Sequence, residues 1–497
     1  MTNLGVPSAP TPPDDRAEPE VPLGLLLIAV AVMLVLVAAT GFMLTRGDAT
    51  QAKPAYPDHW DSRILPLVKA TERERGLLFL HPVEVRFLAP TAFEKDLRTD
   101  EEDLSDDDRA EIEQVTGMVR ALGLVTGKLD LFEAVNDFSG AGTLAYYSFD
   151  DQRITVRGKK ITPGVRSTLV HELTHALQDQ HFDVGDRMEK FRDASEDEPS
   201  LDASESVLDA LIEGDARRVE GLYRASLTKK QRKALDASSQ GEAARAGKRI
   251  TKVPQVIVTM MTSPYTLGQA LVETAAADDG TRAVNDLFRD TPTQETSLLD
   301  PFSVLIEQPD AVEVAIPKLE DGEKEFDSGQ LGVVTWYLML AERLPLDEAL
   351  AAADGWGGDA YLSYEVDGTS CARMTYVGAT RRDTARMYDA LDRWAGAGSR
   401  ADAKVSRTGN RLRFQSCDPG EKSTIGKDVS QKAVTRAVTR TYLGVGMLNN
   451  GFSHDQARCV AGRMIDVFRV EQLQDPKFLL EDPAAEARTQ DIVRSCG

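Results

Sequence analysis

The stretch TLVHELTHALQDQHF, residues 168–182, contains three of the six histidines in this chain of 497 residues. His171 and His175 flank Glu172 in the pattern H-E-x-x-H. Residues at i and i+4 lie on the same face of an α-helix, so a helix here would place both imidazoles side by side. The pattern therefore predicts a metal site, provided that the surrounding sequence forms a helix.

The flanking residues predict that helix. Thr162 and Pro163 form a typical helix start, with a capping hydroxyl followed by proline at the first helical position. Apolar residues then recur every four positions, which is typical of a packed helix face: Val165, Leu169, Leu173 and Leu177. Because the two histidines are offset from this ridge, we expect one face to pack and the other to present the imidazoles.

The third ligand has two candidates, His181 and Glu213. His181 lies at the metzincin distance from His175, but that geometry needs a glycine three residues after the second histidine to break the helix. Gln178 occupies that position.

A second amphipathic pattern, LDALIEGDARRVEGLY at 208–223, carries Glu213 with Ala210 and Ala216 on its own face. The adjacent Gly214 is costly within a helix, which makes sense where two helices approach closely. These residues favour Glu213, and hence a set of two histidines and one glutamate around a single Zn²⁺ ion.

Other polar residues fall near these ligands. Asp179 and Asp215 are candidates to accept a hydrogen bond from a ligand imidazole. Tyr146, Tyr147 and Tyr223 are candidates to donate a hydrogen bond to the oxyanion of a substrate, and the sequence does not select among them. The strand-like run TLAYYSF before the helix is expected to form an edge onto which an extended peptide pairs.

Residues 21–44 form a segment without a charged side chain. This segment is long enough to cross a bilayer, which predicts an anchor within residues 21–45. A cleaved signal peptide is the alternative, but the apolar run is too long and the preceding segment is acidic. The net charge of −22 argues against a nucleic-acid-binding surface. We therefore expect a single-pass protein of the cytoplasmic membrane.

All four cysteines lie in the last quarter of the chain, and none forms a C-x-x-C motif. Cys371 and Cys417 each lie in a strand-like run, whereas Cys459 lies in a helical pattern and Cys496 at the C-terminus. This distribution predicts the disulfides Cys371–Cys417 and Cys459–Cys496 in an oxidising compartment. The alternative is four free thiols in a cytosolic domain. With disulfides, the N-terminus is expected inside and the bulk of the chain outside the cytoplasm.

These patterns predict an α+β fold with a zincin-like catalytic domain, in which a small sheet with an edge strand packs on active-site helices. We expect a mostly helical middle, a β-β-α-β-β unit and a small helical tail. The predicted divisions are a disordered tail at 1–20, the anchor at 21–45, a linker at 46–60, the zincin-like domain at 61–366, an α/β extension at 367–420 and a helical module at 428–497.

LVHELTHALQDQHFD followed by LIEGDA resembles a group of bacterial, largely actinobacterial, H-E-x-x-H proteins related to zinc metallopeptidases of the gluzincin type. The likeness extends to FLHPVEVRFL upstream and DSGQLGVVTWYLML downstream, over roughly residues 60–415. It implies zinc at His171, His175 and Glu213, with Glu172 as the catalytic base.

The expected function is hydrolysis of peptide bonds outside the cytoplasmic membrane, in which Glu172 takes a proton from a zinc-bound water. The expected partners are a peptide or protein substrate and the membrane, with no nucleic acid. Two alternatives are a zinc-stabilised binding or assembly protein of the cell envelope, and a hydrolase of a non-peptide amide.

Overall fold

The computed structural model describes residues 56–99, 101–195, 202–306, 311–398, 403–423, 426–475 and 477–497. The predicted tail at 1–20, the predicted anchor at 21–45 and most of the predicted linker therefore lie outside the described residues. Within the described ranges, no helix combines the length and the apolar character needed to cross a bilayer.

The first part of the chain forms a three-stranded sheet against helices. Strand β1 lies parallel to β3, and β2 lies antiparallel to β3, in the order β1-β3-β2. Strand β2 comes from the run TLAYYSF and is an edge strand of this sheet, as the sequence predicts. The elements are α1 (Leu65–Arg75), β1 (Glu84–Leu88), α2 (Pro90–Leu97), α3 (Asp106–Ala121), α4 (Leu131–Gly140), β2 (Ala145–Ser148) and β3 (Arg153–Arg157).

The middle of the chain is helical, as predicted. The longest helix, α9, is interrupted by non-helical backbone at Asp279 and Gly280. The helices are α5 (Pro163–Phe182), α6 (Val184–Ser195), α7 (Asp202–Ser226), α8 (Lys229–Arg249), α9 (Gln255–Arg289) and the short α10 (Thr296–Leu299).

A second, fully antiparallel sheet has the strand order β4-β5-β6-β8-β7. It contains the predicted β-β-α-β-β unit, to which β4 adds an edge strand that the sequence analysis missed. The elements are β4 (Lys324–Gly329), α11 (Val333–Ala341), α12 (Leu346–Ala353), β5 (Trp356–Val366), β6 (Thr369–Gly378), α13 (Arg381–Ala397), β7 (Ala403–Thr408) and β8 (Arg411–Cys417).

The predicted division between residues 366 and 367 falls in the turn between two paired strands of this sheet. Residues Val366 and Thr369 are themselves paired across that turn. A hydrophobic core also runs continuously from Met118 in α3 through Trp336 in α11 to Ile465 near the C-terminus. The sheet and the helices around it therefore pack as one body.

The tail is helical, and both predicted disulfides are present. Cys371 and Cys417 lie opposite each other on β6 and β8, and Cys459 is bonded to Cys496. The second bond closes α18 onto a small core of its own around Val460 and Met464. The helices are α14 (Ser430–Asn449), α15 (His454–Val467), α16 (Val470–Leu473), α17 (Phe478–Glu481) and α18 (Pro483–Ser495).

Removal of the Cys459–Cys496 bond is predicted to loosen the C-terminus locally. In a Cys459→Ala/Cys496→Ala variant of the full chain, we expect amide exchange across α18 to accelerate, because a bond of this loop length contributes about 2–4 kcal/mol and the core beneath is small. Hydrogen–deuterium exchange measures this. A matched Cys371→Ala/Cys417→Ala variant should change β6 and β8 less, since strand hydrogen bonds still hold them. Equal loosening in both variants would contradict the prediction.

Candidate metal centre

The H-E-x-x-H helix forms as the sequence predicts. The Thr162 side chain caps it by accepting a hydrogen bond from the backbone N–H of Val165, and Pro163 follows at the first turn. The predicted apolar ridge is buried, but so is the opposite face, because α1, α7, α8 and strand β2 surround the helix. The imidazoles are therefore presented to these neighbouring elements and not to solvent.

Gly214 permits the close approach that its position suggests, although the partner helix is α9. A Cβ atom at Gly214 would lie 2.1 Å from the carbonyl carbon of Gly268, and a Cβ atom at Gly268 would lie 1.8 Å from the carbonyl oxygen of Ala210. No side chain larger than hydrogen fits at either position. This contact brings α9 against the helix that carries Glu213.

His171, His175 and Glu213 converge. One ligand atom from each of the three residues can be chosen so that all lie within 4.8 Å of one another. The Nε2 atom of His171 lies 3.1 Å from Glu213 Oε2, and the Nε2 atom of His175 lies 3.6 Å from the same oxygen. The two imidazole rings are nearly perpendicular, with centroids 4.6 Å apart. This arrangement could hold a single metal ion.

The electrostatics of the group favour a cation. Burial lowers the pKa values of His171 and His175 to about 4, so both rings are neutral at pH 7. Burial raises the pKa of Glu213 to about 7. Burial and then the charge of Glu213 raise the pKa values of Glu172 and Asp209 well above their usual range. A divalent cation among these three acids would favour their ionised forms.

Glu172 lies beside the ligands, where it is held by the edge strand. Its Oε2 atom accepts a hydrogen bond of 2.8 Å from the backbone N–H of Tyr147. Because strand residues alternate in direction, the N–H groups of Tyr147 and Ala145 point away from β3 and toward this side. The outer edge of β2 therefore runs along the metal centre.

A buried polar chain orients His175. The Nδ1 atom of His175 donates to Gln178 Oε1 at 3.1 Å, and Gln178 Nε2 donates to Asp215 Oδ2 at 3.0 Å. Asp215 in turn accepts from Arg75 Nε at 2.6 Å, in an ion pair whose side chains are both 0% exposed. With Nδ1 acting as the donor, Nε2 carries the lone pair that faces Glu213 and the metal position.

The two aspartates play other roles than direct contact with an imidazole. Asp215 does not contact His175 as predicted; Gln178 lies between them and is hydrogen-bonded to both. Asp179 accepts hydrogen bonds from the hydroxyl of Tyr147 at 2.9 Å and from the backbone N–H of Gly185 at 2.9 Å. Asp179 therefore positions the edge strand and the following helix.

The three candidate oxyanion donors are placed apart from the metal centre. The hydroxyl of Tyr146 donates to Asp96, and that of Tyr147 donates to Asp179. Tyr223 lies ten residues beyond Glu213 on the same helix, about 15 Å along its axis. The structure therefore gives no support to any of them as an oxyanion donor.

His181 takes no part in the cluster. Its Nε2 atom donates to the backbone oxygen of Leu78 at 2.8 Å, on the far side of the last turn of α5. The helix continues unbroken to Phe182, so the metzincin geometry does not form.

Two residues near the ligands were missed by the sequence analysis. Glu220 Oε2 lies 3.9 Å from His171 Nδ1. Burial alone would raise the pKa of Glu220, but the charges of Arg217 and His171 keep this pKa below its usual value. Glu220 follows Glu213 by seven residues, two helical turns on the same face, and this spacing was the available signal.

Tyr265 is the other missed residue. Its ring stacks on His171 with centroids 6.1 Å apart, and its hydroxyl is buried without a hydrogen bond of standard geometry among the described residues. Burial, followed by the charges of Glu213 and Glu172, raises the pKa of the phenol. Tyr265 follows Pro264 inside α9, and nothing in the local sequence links it to the histidines.

Comparison of the chain with protein families, characterised proteins and solved structures finds no significant match.

We predict that Glu213→Ala removes bound metal as fully as His171→Ala, whereas His181→Ala keeps it. The reason is that Glu213 Oε2 lies within 3.6 Å of both Nε2 atoms, whereas His181 is bound to Leu78. Metal analysis of the three purified full-length variants checks this. If His181→Ala were the only variant that lost metal, the result would contradict this prediction and favour His181 as the third ligand.

Gln178→Ala is predicted to weaken metal binding by about 10–100-fold, because His175 loses the acceptor that fixes its tautomer. Competition with a chelator of known affinity measures the change. Gln180→Ala is the matched control, since Gln180 lies two residues further on and binds only the backbone at residues 80 and 81 and the ring of His81. Equal affinities in the two variants would show that Gln178 does not orient the ligand.

Proposed function

We propose that this chain is a membrane-anchored zinc metallohydrolase, a peptidase of the gluzincin type with a zincin-like catalytic domain. The observation that carries the proposal is the convergence of His171, His175 and Glu213 with Glu172 held beside them. A site that only binds metal has no need of this additional carboxylate.

The donor set fits zinc. Two neutral imidazoles and one carboxylate are a ligand set found in catalytic zinc sites, and three protein ligands leave one coordination position open. When bound in such a site, zinc polarises a substrate carbonyl and lowers the pKa of a coordinated water to near neutrality.

Glu172 is proposed as the general base. The N–H of Tyr147 binds its Oε2 atom and so fixes the plane of the carboxylate, while Oε1 remains to accept a proton. Glu172 adjoins His171 in sequence and shares the buried space of Glu213, so it reaches the open position without being a ligand. It would then pass the proton to the leaving amine.

The edge strand is proposed to bind the substrate backbone. The outward N–H of Ala145 lies on the same edge as the N–H of Tyr147 that holds Glu172, and an extended peptide can pair with such an edge. The Tyr265 hydroxyl, which stands beside Glu213, is a better-placed donor to the oxyanion than the three tyrosines suggested by the sequence. A peptide or protein substrate suits this arrangement.

The location is proposed to be the cytoplasmic membrane, with the N-terminus inside and the bulk of the chain outside. The uncharged segment at 21–44 supports an anchor, and two disulfides support an oxidising compartment.

A second candidate is a metal-stabilised envelope protein that binds or assembles without hydrolysis. The observation that favours it is the burial of all three ligands, because structural metal sites are typically closed. The two candidates differ in what Glu172 does.

We predict that Glu172→Gln keeps near-normal zinc and loses hydrolysis by a factor of about 10²–10⁴, because the amide keeps the hydrogen bond from Tyr147 but cannot accept a proton. Zinc content and digestion of a broad peptide library by the full chain in detergent measure both quantities. Glu189→Gln, an exposed position on α6, is the matched control and should change neither. If Glu172→Gln hydrolysed peptides as fast as the unaltered chain, Glu172 would not be the general base, and the metal would have a structural role.

A further inference from the structure

The loop 76–82, sequence GLLFLHP, exposes two large apolar side chains. Leu78 is 70% exposed and Leu80 is 66% exposed, the two highest values among the exposed large hydrophobic residues of the described chain. Gly76 ends α1 in the left-handed region, with φ of 75°, and turns the chain into this loop. Exposed leucines clustered in one loop indicate a surface that contacts something apolar.

The loop is held rigidly in this orientation. Its backbone is bound by side chains of α5: the N–H of Leu80 donates to Gln180 at 2.8 Å, and the oxygen of Leu78 accepts from His181. The N–H of Phe79 donates to Glu72 at 3.2 Å. Because these three backbone groups are already paired within the protein, they can leave water without losing a hydrogen bond.

Aromatic residues from the start of the described chain join the same surface. Tyr56 stacks on His81 with ring centroids 3.4 Å apart, and Trp60 packs edge-on against Phe79 at 4.8 Å. Phe79 alternates with the two leucines and points inward, against the core beneath the sheet. Tyrosine and tryptophan are the residues enriched where a protein meets the interface of a bilayer.

The position of this surface in the chain identifies its partner. Eleven residues, 45–55, separate the uncharged segment at 21–44 from Tyr56. Fully extended, they span at most about 40 Å. Because Tyr56 stacks on His81, the described chain begins beside the exposed loop, within reach of the bilayer that the apolar segment is proposed to cross.

We propose that Leu78 and Leu80 insert into the bilayer surface, with Tyr56 and Trp60 at the level of the headgroups. The contact is apolar rather than electrostatic, since the chain carries a net charge of −22 and gains nothing from an anionic surface. The loop is bound to Gln180, five residues and about 7.5 Å along α5 from His175. Insertion therefore turns the C-terminal end of the metal-binding helix toward the membrane.

The test places a fluorophore on the loop of the full chain. All four native cysteines are disulfide-bonded, so Leu78→Cys and Leu80→Cys each provide a single reactive thiol for an environment-sensitive dye. Leu319→Cys is the matched control, because Leu319 is also an exposed leucine, 44% exposed, in another part of the chain. Each labelled protein is reconstituted into phosphatidylcholine–phosphatidylglycerol vesicles with and without lipids that carry a nitroxide quencher near the headgroup.

We expect nitroxide lipids to quench the dye at positions 78 and 80 strongly, to quench it little at 319, and to do so equally at low and high salt. Quenching at 78 and 80 no greater than at 319 would overturn the proposal. A dye shielded from water but unaffected by nitroxide lipids would also overturn it, and would show that another copy or another part of the chain covers the loop. The test uses no hydrolysis, so its outcome is independent of the proposed function.

Discussion

The buried ion pair between Arg75 and Asp215 is the constraint on which the candidate metal centre depends. Charges buried this fully are tolerated only when they are paired and hydrogen-bonded, and removing one partner of such a pair typically costs about 3–5 kcal/mol. Here the pair joins α1 to α7, and Gln178 extends it to His175 on α5. The same interaction that holds three helices together therefore also sets the orientation of a ligand.

The second constraint is the contact between α7 and α9 at Gly214 and Gly268. It holds α9 in place, and the Tyr265 ring on α9 stacks on His171. Strand β2 also borders the site, and its backbone holds Glu172. The site is thus bordered by helices and by a strand edge, and two neutral imidazoles share this space with several acids. Such a group is costly to bury by itself, and this cost is the physical argument for a bound cation.

Much of this centre follows from local patterns in the sequence. The H-E-x-x-H spacing and the Thr162 cap specify the helix, and the small residues around Glu213 indicate a close helix contact. The pairing of the cysteines followed from their positions in strands and at the chain end. The partners of the imidazoles did not follow, because Gln178 was considered only as a missing glycine and Tyr265 comes from a helix ninety residues later in the chain. Tertiary contacts of this kind leave no periodic signal. Strand β4 was missed for a similar reason, since its sequence, KEFDSG, lacks apolar alternation.

We propose that one zinc ion is bound by two imidazoles and one carboxylate, with one coordination position left open. X-ray absorption at the zinc edge of the purified full chain measures this directly. We expect only nitrogen and oxygen neighbours of the zinc at about 2.0–2.2 Å, two of them with the scattering pattern of imidazole. The two imidazole contributions should fall to one in His175→Ala. Sulfur neighbours, three imidazoles, or a chain purified without any tightly bound zinc would contradict it.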